Sequence, residues 1–454
     1  MRSLKERKTE YDKLGNNLRI IIYTMILLMI ASYFTISKVV MITQAFKMGV
    51  RLLLTIWAVI ILYRLHSKGF QTGLEITNRM ALWLYFLYLL LGFASFLWTT
   101  NIYFSALQWL MIVQSLVQAY LLYRIFLIYN WYFSNRPIRM TNVFSISVFI
   151  IASILLIGSV VAPDIFYRAT HGGTEQRLGG YLMNPNELGM LTSLGSAVAF
   201  LELGKAKNKW FIISILIVNF IALVLTSSRS SVIGFLIVVT IIVNRTASAK
   251  VKFFVYMIIA LAIPPLVQLI IFKQGNVEEV MNMTGRLPFW KALLNEGIVK
   301  EPWLGFGFQR IYYTERFVSL FAYPGMMTHN AFLQVLMNLG FIGFAVAIAQ
   351  IVFTVRGVVN IKNIEYGNIF LAFIIPLIIN SLTEFGIFGN ANYAIFFYQL
   401  LIFIVVLRPK THLNSYEYIK ELRLRKYYGL PKPEIIPGTR PPGADEIIEQ
   451  KTLI

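Results

Sequence analysis

Residues 143–162 read VFSISVFIIASILLIGSVVA, a stretch without a single charged residue. A helix needs about 20 apolar residues to cross a bilayer, so this stretch predicts a membrane-spanning helix. Similar runs recur along the chain of 454 residues, in which 57% of residues are hydrophobic and 14% are charged. Soluble domains carry about 25% charged residues, so the composition excludes a water-soluble globular protein.

Apolar segments of this kind occur twelve times and predict an all-α polytopic membrane protein with about twelve transmembrane helices. The predicted spans are residues 18–36, 48–63, 80–98, 104–123, 143–162, 187–203, 209–226, 230–244, 251–272, 330–355, 366–383 and 391–407.

Lysine and arginine are distributed unevenly between the predicted loops. If the N-terminus lies in the cytoplasm and the sides alternate, most of the 41 basic residues fall on the cytoplasmic side, as the positive-inside rule requires. The net charge of +20 then reflects topology and attraction to anionic lipid, and we expect no nucleic-acid partner. The prediction is a multi-pass protein of the cytoplasmic membrane with both termini inside. Arg51, near a span end, is expected to snorkel to the interface.

The predicted spans divide the chain into a cytoplasmic tail at 1–17, a transmembrane domain at 18–407 and a second cytoplasmic tail at 408–454. Two external segments, 163–186 and 273–329, are longer than ordinary connections, and such loops are usually functional. The larger of the two joins spans nine and ten.

The C-terminal tail has two parts of different composition. Residues 416–428 are basic and aromatic, which predicts a helix lying on the membrane surface. The remainder is rich in proline and is expected to be disordered. This tail can dock chain-length or export partners.

The chain offers few residues for metal or thiol chemistry. It contains no cysteine and four histidines, and it has no glycine-rich phosphate loop and no HExxH motif. We therefore predict neither a metal nor a cofactor.

Two external arginines are candidates for binding an anion. Arg229 lies in TSSRSS, residues 226–231, where serine hydroxyls and a helix N-terminus suit a phosphate. Arg286 lies in GRLPFW, residues 285–290, just before a predicted short amphipathic helix on which Phe289, Trp290, Leu293, Leu294 and Ile298 share one face. The alternatives are a snorkelling arginine for Arg229 and an interfacial anchor for Trp290.

His329 and Asn330 stand at the start of span ten, in MMTHNAFLQ. An imidazole titrates near neutral pH, so His329 can act as a general base at the membrane surface. Thr328 or Asn330 can cap the helix that follows. Glu384, at the external end of span eleven, can orient His329 or bind an acceptor. An interfacial histidine and a plain helix-end carboxylate are the alternatives.

The external segment 163–186 also carries polar candidates. Arg168 and Arg177 flank a glycine-rich stretch that includes His171, and GGYLMNPNELG follows at 179–189 with Asn184. Sugar contacts or a lid are plausible functions, and a solvated loop is the alternative.

Several short motifs together resemble the O-antigen ligase/polymerase family of bacterial envelope enzymes. They are SSR at 227–229, GRLPFW at 285–290, PWLGFG at 302–307, HN at 329–330 with GFIG at 340–343, and NPNELG at 184–189. The resemblance is most specific over about 180–345. The order of the motifs and their common predicted external placement make the set more specific than each motif alone.

This resemblance implies a C-type, all-helical membrane glycosyltransferase that needs no metal or nucleotide sugar. Such an enzyme transfers a glycan from an undecaprenyl-diphosphate carrier to an acceptor hydroxyl of another glycan on the outer face of the membrane. Carried over, Arg229 and Arg286 would bind the diphosphate, and His329 would be the base or position the acceptor. Trp290 and Asn330 would support them.

The resemblance does not separate polymerase from ligase. We favour a polymerase of O-antigen, capsular or exopolysaccharide repeat units, because the long tail departs from a compact ligase plan. The rivals are a ligase, a lipid-linked oligosaccharide flippase or other transporter, a peptidoglycan-type polymerase with Asp164 as its carboxylate, and a structural scaffold.

Overall fold

A computed structural model describes residues 3–99, 101–170, 175–268, 283, 286–308, 328–359, 364–384, 386–410 and 415–431. Predictions for His171 and for most of 273–329 lie outside these residues, as does the proline-rich end of the chain. The helices are α1 Leu4–Ala31, α2 Val40–Ser67, α3 Arg79–Ala94, α4 Ile102–Tyr132, α5 Met140–Val161, α6 Pro163–Phe166, α7 Pro185–Leu203, α8 Lys209–Leu225, α9 Arg229–Thr246, α10 Ala249–Leu266, α11 Arg286–Ala292, α12 Ala331–Val359, α13 Ile364–Ser381, α14 Tyr393–Val406 and α15 Ser415–Tyr428. The strands are β1 Leu74–Ile76, β2 Tyr167–Thr170, β3 Glu175–Leu178 and β4 Leu407–Pro409.

The all-α fold class is confirmed, and each predicted span falls on one helix. Among the described residues, eight helices are long and apolar enough to cross a membrane, and α8, α13 and α14 supply three shorter apolar helices. The segment predicted at 187–203 is α7. Helix α1 starts well before the first predicted span, because Ser3 and Glu6 form a capping box at its N-terminus.

Burial shows which helices form the centre of the bundle. Helix α14 is buried along nearly its whole length and packs against α3, α4, α12 and α13. Helix α10 has no buried residue, and Phe253 and Leu261 on it are 66% and 71% exposed. Apolar side chains exposed to this extent are expected to face lipid in a membrane protein.

Arg51 lies inside the bundle and not at its surface. The side chain is 0% exposed, its guanidinium lies 4.8 Å from the centre of the Tyr33 ring, and its Nε donates to the carbonyl of Lys47 at 2.8 Å. The prediction that Arg51 snorkels to the interface is wrong, because the register of α2 turns this side chain toward Tyr33 at the end of α1.

The two predicted tails contact each other. Residues of the first tail form the start of α1, and the helix predicted in the second tail is α15, which packs against α1. Glu421 of α15 is buried and accepts hydrogen bonds from Nε1 of Trp131 on α4 at 2.8 Å and from Nε of Arg425 at 2.9 Å. The helix is thus held by the bundle itself and does not lie only on a membrane surface.

Helix α12 is broken at Gly340, and the segment at 302–307 binds to the break. Gly340 has φ 63° and ψ −166°, and the carbonyls of Met337 and Asn338 accept hydrogen bonds from the backbone of Phe306 and Gly307, each at 2.9 Å. A Cβ on Gly305 would lie 2.5 Å from the backbone carbon of Asn338. We call this the glycine contact. It fixes the segment that carries α11.

Candidate functional site

Helix α11 is held against α12 by apolar packing. Phe289, Leu293 and Ile298 are buried with Phe306 and with the first turns of α12. Leu294 is 46% exposed, so it does not share the buried face of Phe289 and Leu293, with which the sequence analysis groups it. The chain changes to a wider π-helical turn at Leu293–Gly297, and this change of helical period rotates Leu294 outward.

Arg286 begins α11 and reaches the end of α13. Its guanidinium donates Nη2–H to Oε1 of Glu384 and Nη1–H to the carbonyl of Thr383. Glu384 is 4% exposed. The arginine and the carboxylate predicted from distant parts of the sequence therefore form one ion pair.

His329 contacts the other oxygen of the same carboxylate. The imidazole Nδ1 lies 3.0 Å from Oε2 of Glu384, which favours the tautomer with hydrogen on Nδ1 and a proton-accepting Nε2. His329 has φ 50°, a left-handed conformation that is uncommon outside glycine and is concentrated at functional positions. A small cavity beside the imidazole is lined by polar side chains that include Asn330, Gln334 and Asn390.

Asn186 joins a second arginine to the network. Its Nδ2 donates to Oε1 of Glu384 at 2.6 Å, and its Oδ1 accepts from Nη2 of Arg177. Arg177 is 8% exposed and donates from Nε to the carbonyl of Thr226 at 2.8 Å. The hairpin of β2 and β3 thus places one of the predicted arginines inside the site, bound to the turn before α9.

Arg229 is half-buried at the first residue of α9, and its charge acts on Arg177. The serines around it have different surroundings. Ser228 and Ser231 are buried and hydrogen bonded to each other at 2.7 Å, and Asn380 accepts from Ser231 at 2.8 Å. Ser230 is half-buried beside the arginine and also donates to Oδ1 of Asn380, at 3.1 Å, so Ser230 and Ser231 both join α9 to α13.

The remaining predicted residues differ in position. Asn330 caps α12 by accepting from the backbone of Phe332 and Leu333, each at 3.0 Å. Nε1 of Trp290 donates to the carbonyl of Thr328 at 2.6 Å, so this side chain supports the turn that carries His329. Asn184 caps α7. Arg168 is exposed on β2, opposite Arg177 in the hairpin register.

Charge is concentrated around Glu384. Burial alone raises the pKa of the Glu384 carboxyl, but the Arg286 guanidinium and the hydrogen bond from His329 outweigh burial and hold this pKa below its usual value. Burial also lowers the pKa of Arg177. The nearby carboxylates of Glu175 and Glu384 raise this pKa, whereas the positive charges of Arg286 and Arg229 lower it further. Three guanidinium groups and two carboxylates, Glu384 and Glu175, thus act within this network, and the excess of cations favours the binding of an anion.

Asn186 and Thr383 are contacts of this site that the sequence analysis did not identify. Asn186 lies inside the quoted NPNELG run, where Asn184 was chosen in its place. An asparagine directly before a proline is a typical helix cap, so this rule identifies Asn184 as a cap. It also leaves Asn186 and Glu187 as the polar residues of the run that can contact a ligand or a charged side chain.

The described residues contain no group of three or more His, Asp and Glu side chains placed to hold a metal ion. Metal independence stays a prediction from the sequence.

The O-antigen ligase family model matches residues 212–348. This match confirms the resemblance that the short motifs indicated, and it supports a membrane glycan ligase or polymerase. It includes Arg229, Arg286 and His329 but neither Arg177 nor Glu384. None of the curated proteins matches the chain at a significant level.

Proposed function

We propose that this chain, which resembles O-antigen ligases over its central part, is a membrane glycosyltransferase that polymerises lipid-linked oligosaccharide repeat units on the outer face of the cytoplasmic membrane. The donor is a glycan on undecaprenyl diphosphate, and the acceptor is a hydroxyl of another glycan. Neither a metal nor a cofactor takes part.

One observation carries this proposal, namely that Glu384 binds His329 and Arg286 at the same time. A single carboxylate therefore fixes a proton acceptor and a cation within one network. A glycosyl transfer from a diphosphate carrier needs both groups, because the acceptor hydroxyl loses a proton while the leaving diphosphate gains negative charge.

The arginines bind and stabilise the diphosphate. Arg286, Arg229 and Arg177 lie within electrostatic range of one another, and arginine stays protonated through the reaction. The bond from the anomeric carbon to the diphosphate oxygen breaks, and both electrons of that bond leave with the diphosphate. Fixed cations lower the energy of this developing charge more than water does.

His329 takes the proton of the acceptor. Its Nδ1–H donates to Glu384, so Nε2 accepts the proton as the acceptor oxygen attacks the anomeric carbon. Glu384 stabilises the imidazolium that forms. Attack opposite the leaving group inverts the anomeric configuration, and a product that retains the donor's configuration would contradict this mechanism.

A polymerase is favoured over a ligase because the C-terminal tail is long and its helix α15 is packed on α1 and α4. In this proposal, the tail docks chain-length or export partners. A ligase that transfers glycan to a separate acceptor uses the same site.

The test supplies purified protein in nanodiscs with a lipid-diphosphate-linked repeat unit and separates the products by size. Wild type is compared with Arg286→Ala, with His329→Ala, and with Lys291→Ala as a control, since Lys291 is an exposed cation on the same helix. A ladder of lengths that both site variants lose and the control keeps supports the polymerase.

The other outcomes separate the alternatives. One unit added to a separate acceptor would identify a ligase. Translocation of a labelled lipid-linked glycan in proteoliposomes without a new glycosidic bond would identify a transporter. Site variants that remain as active as wild type would contradict the proposed site.

A further inference from the structure

A second polar cavity lies at the end of the bundle opposite to Glu384. Helix α2 has 28 residues, about 42 Å at 1.5 Å per residue. Near its start, Lys47 acts electrostatically on Glu187, which follows Asn186 in the sequence. At its end, His66 lines a cavity of about 230 Å³. The two sites are thus separated by most of the length of a membrane-spanning helix.

Three parts of the chain form the walls of this cavity. They are the end of α2 with the segment that follows it, Arg124 of α4, and the face of α15 that carries Lys420. Lys420 donates from Nζ to Oε1 of Gln71 at 3.1 Å, and Nη2 of Arg124 donates to the carbonyl of Thr72 at 3.3 Å. The cavity therefore exists only while the C-terminal helix is packed on the bundle.

Three lining residues carry a buried polar atom that has no hydrogen-bond partner among the described residues. The atoms are Nε2 of His66, Oγ1 of Thr72 and Nε of Arg124. Thr72 is 7% exposed. A buried polar atom without a partner is costly in a folded protein, and three of them around one cavity indicate a ligand that supplies the missing contacts.

The charges around the cavity favour an anion. Two carboxylates also line it, but Oε1 of Glu421 binds Arg425 at 2.9 Å and Oε1 of Glu417 lies 3.7 Å from Lys410. Neither of these two cations lines the cavity. The carboxylates are thus compensated from outside it, whereas Arg124 and Lys420 line it directly.

We propose that this cavity binds a phosphate group, with Arg124 and Lys420 as its cations and Thr72 and His66 as its hydrogen-bonding partners. Phosphate accepts several hydrogen bonds at once and pairs well with guanidinium. A bound phosphate contacts α4, the segment after α2 and α15 together, so it holds the C-terminal helix on the bundle. The group belongs either to an anionic phospholipid or to a free phosphate compound.

The test uses the full chain with Arg229→Gln and Arg286→Gln introduced throughout, which removes two of the three arginines of the proposed transferase site. Any phosphate that Arg177 still binds there is unaffected by substitutions of Thr72 or Arg124, so comparison of these variants isolates the cavity. Inorganic phosphate is titrated by calorimetry into this background and into its Thr72→Val, Arg124→Gln and Arg64→Gln derivatives. Thr72→Val keeps the side-chain shape if Arg124→Gln folds poorly. Arg64 is an exposed cation near His66 and serves as the control.

A second arm distinguishes the source of the phosphate. The same proteins are transferred to nanodiscs of phosphatidylglycerol or of phosphatidylcholine, and retained lipid is counted by native mass spectrometry. We expect one saturable phosphate site or one retained phosphatidylglycerol, weakened at least about tenfold by Thr72→Val and Arg124→Gln and unchanged by Arg64→Gln. Phosphate binding alone indicates a free compound, and retained phosphatidylglycerol indicates a lipid head group.

Two results would overturn the proposal. One is the absence of both saturable phosphate binding and retained phosphatidylglycerol in the background protein. The other is binding that Thr72→Val and Arg124→Gln leave at background strength.

Discussion

The network around Glu384 and the glycine contact at Gly340 differ in the groups from which they are built. The network consists of charged and amide side chains from β3, α7, α11 and the ends of α12 and α13. The glycine contact consists of backbone N–H and C=O groups between 302–307 and 337–341. Both contain residues that the sequence presents as short motifs. The difference shows that motif residues with functional groups form the site, while motif glycines fix the segment that carries Arg286.

The largest expected effect is a loss of transfer activity, with little loss of stability, when residues of the network around Glu384 are replaced. Arg286→Ala and His329→Ala should each lower the transfer rate by about 10²- to 10⁴-fold, because each removes a charge or a base that acts in the transition state. The thermal unfolding midpoint should change little by comparison. Rates with a lipid-linked donor and unfolding curves, with Lys291→Ala as the matched control, provide the check. Equal losses in all three variants would contradict a specific site.

Replacing a glycine of the glycine contact should lower stability as well as activity, unlike a replacement in the network around Glu384. Gly340→Ala places a Cβ 2.3 Å from the backbone of Trp303 at a φ of 63°, so stability and activity should fall together, by about 1–3 kcal/mol in unfolding free energy. Gly204→Ala is the control, since a Cβ there has open space around it. Unfolding curves for both variants measure the difference. A stable Gly340→Ala protein would show that this contact is not needed for the fold.

Asn186 tests whether the network extends beyond the family match. Asn186→Ala removes the bridge between Arg177 and Glu384 and should lower the rate by about 10- to 100-fold, which corresponds to the loss of a hydrogen bond to a charged group. Steady-state rates at saturating donor give the value. A rate equal to that of wild type would remove Asn186 and Arg177 from the site.

Asn184, two residues before Asn186, distinguishes a helix cap from a residue of the site. The side chain of Asn184 caps α7 by accepting a hydrogen bond from the backbone N–H of Asn186. Because aspartate caps helices equally well, Asn184→Asp should keep both stability and activity. Asn184→Ala should cost about 1 kcal/mol of stability. A rate that falls in Asn184→Asp while stability is kept would support the predicted substrate contact.

The smallest expected effect is a change in the pH dependence of stability in acid. The pKa of Glu384 is lowered in the folded protein, so its ionised form stabilises the fold fully above the unfolded value of about 4.3, and this contribution is lost as the pH falls through the folded pKa. The difference in unfolding midpoint between wild type and Glu384→Gln should be constant near neutral pH and shrink only in acid. The comparison is repeated with His329→Ala in both proteins, which removes the titration of the imidazole, and a difference that still changes between about pH 6 and pH 8 would contradict this assignment.

The sequence predicts the helices of this protein well because an apolar run long enough to span a bilayer is a local signal. The contact of Arg286 with Glu384 joins residues 98 positions apart, and that of Asn186 with Glu384 joins residues 198 positions apart. No local pattern encodes such pairings. The inward turn of Arg51 has the same origin, because its environment is set by Tyr33 in the turn that follows α1.

The motif residues show the same limit. His329, Arg286 and Glu384 were identified by residue type and external placement, and the structure brings them together. Gly305 and Gly340 lie in the motifs PWLGFG and GFIG, but their contact depends on a break in α12 that neither motif reveals. The phosphate cavity was not anticipated, because it forms between α2, α4 and the tail helix.

We propose that the arginines bind the diphosphate and that His329 takes the proton of the acceptor. Measuring donor binding separately from the transfer rate distinguishes these two roles. Binding of a lipid-diphosphate-linked glycan and single-turnover transfer are measured on the same preparations of wild type, His329→Ala and Arg286→Ala. His329→Ala should bind the donor within about threefold of wild type and lose at least about 10² in transfer rate. Arg286→Ala should weaken binding itself. Equal loss of binding in both variants, or full turnover by His329→Ala, would contradict the account.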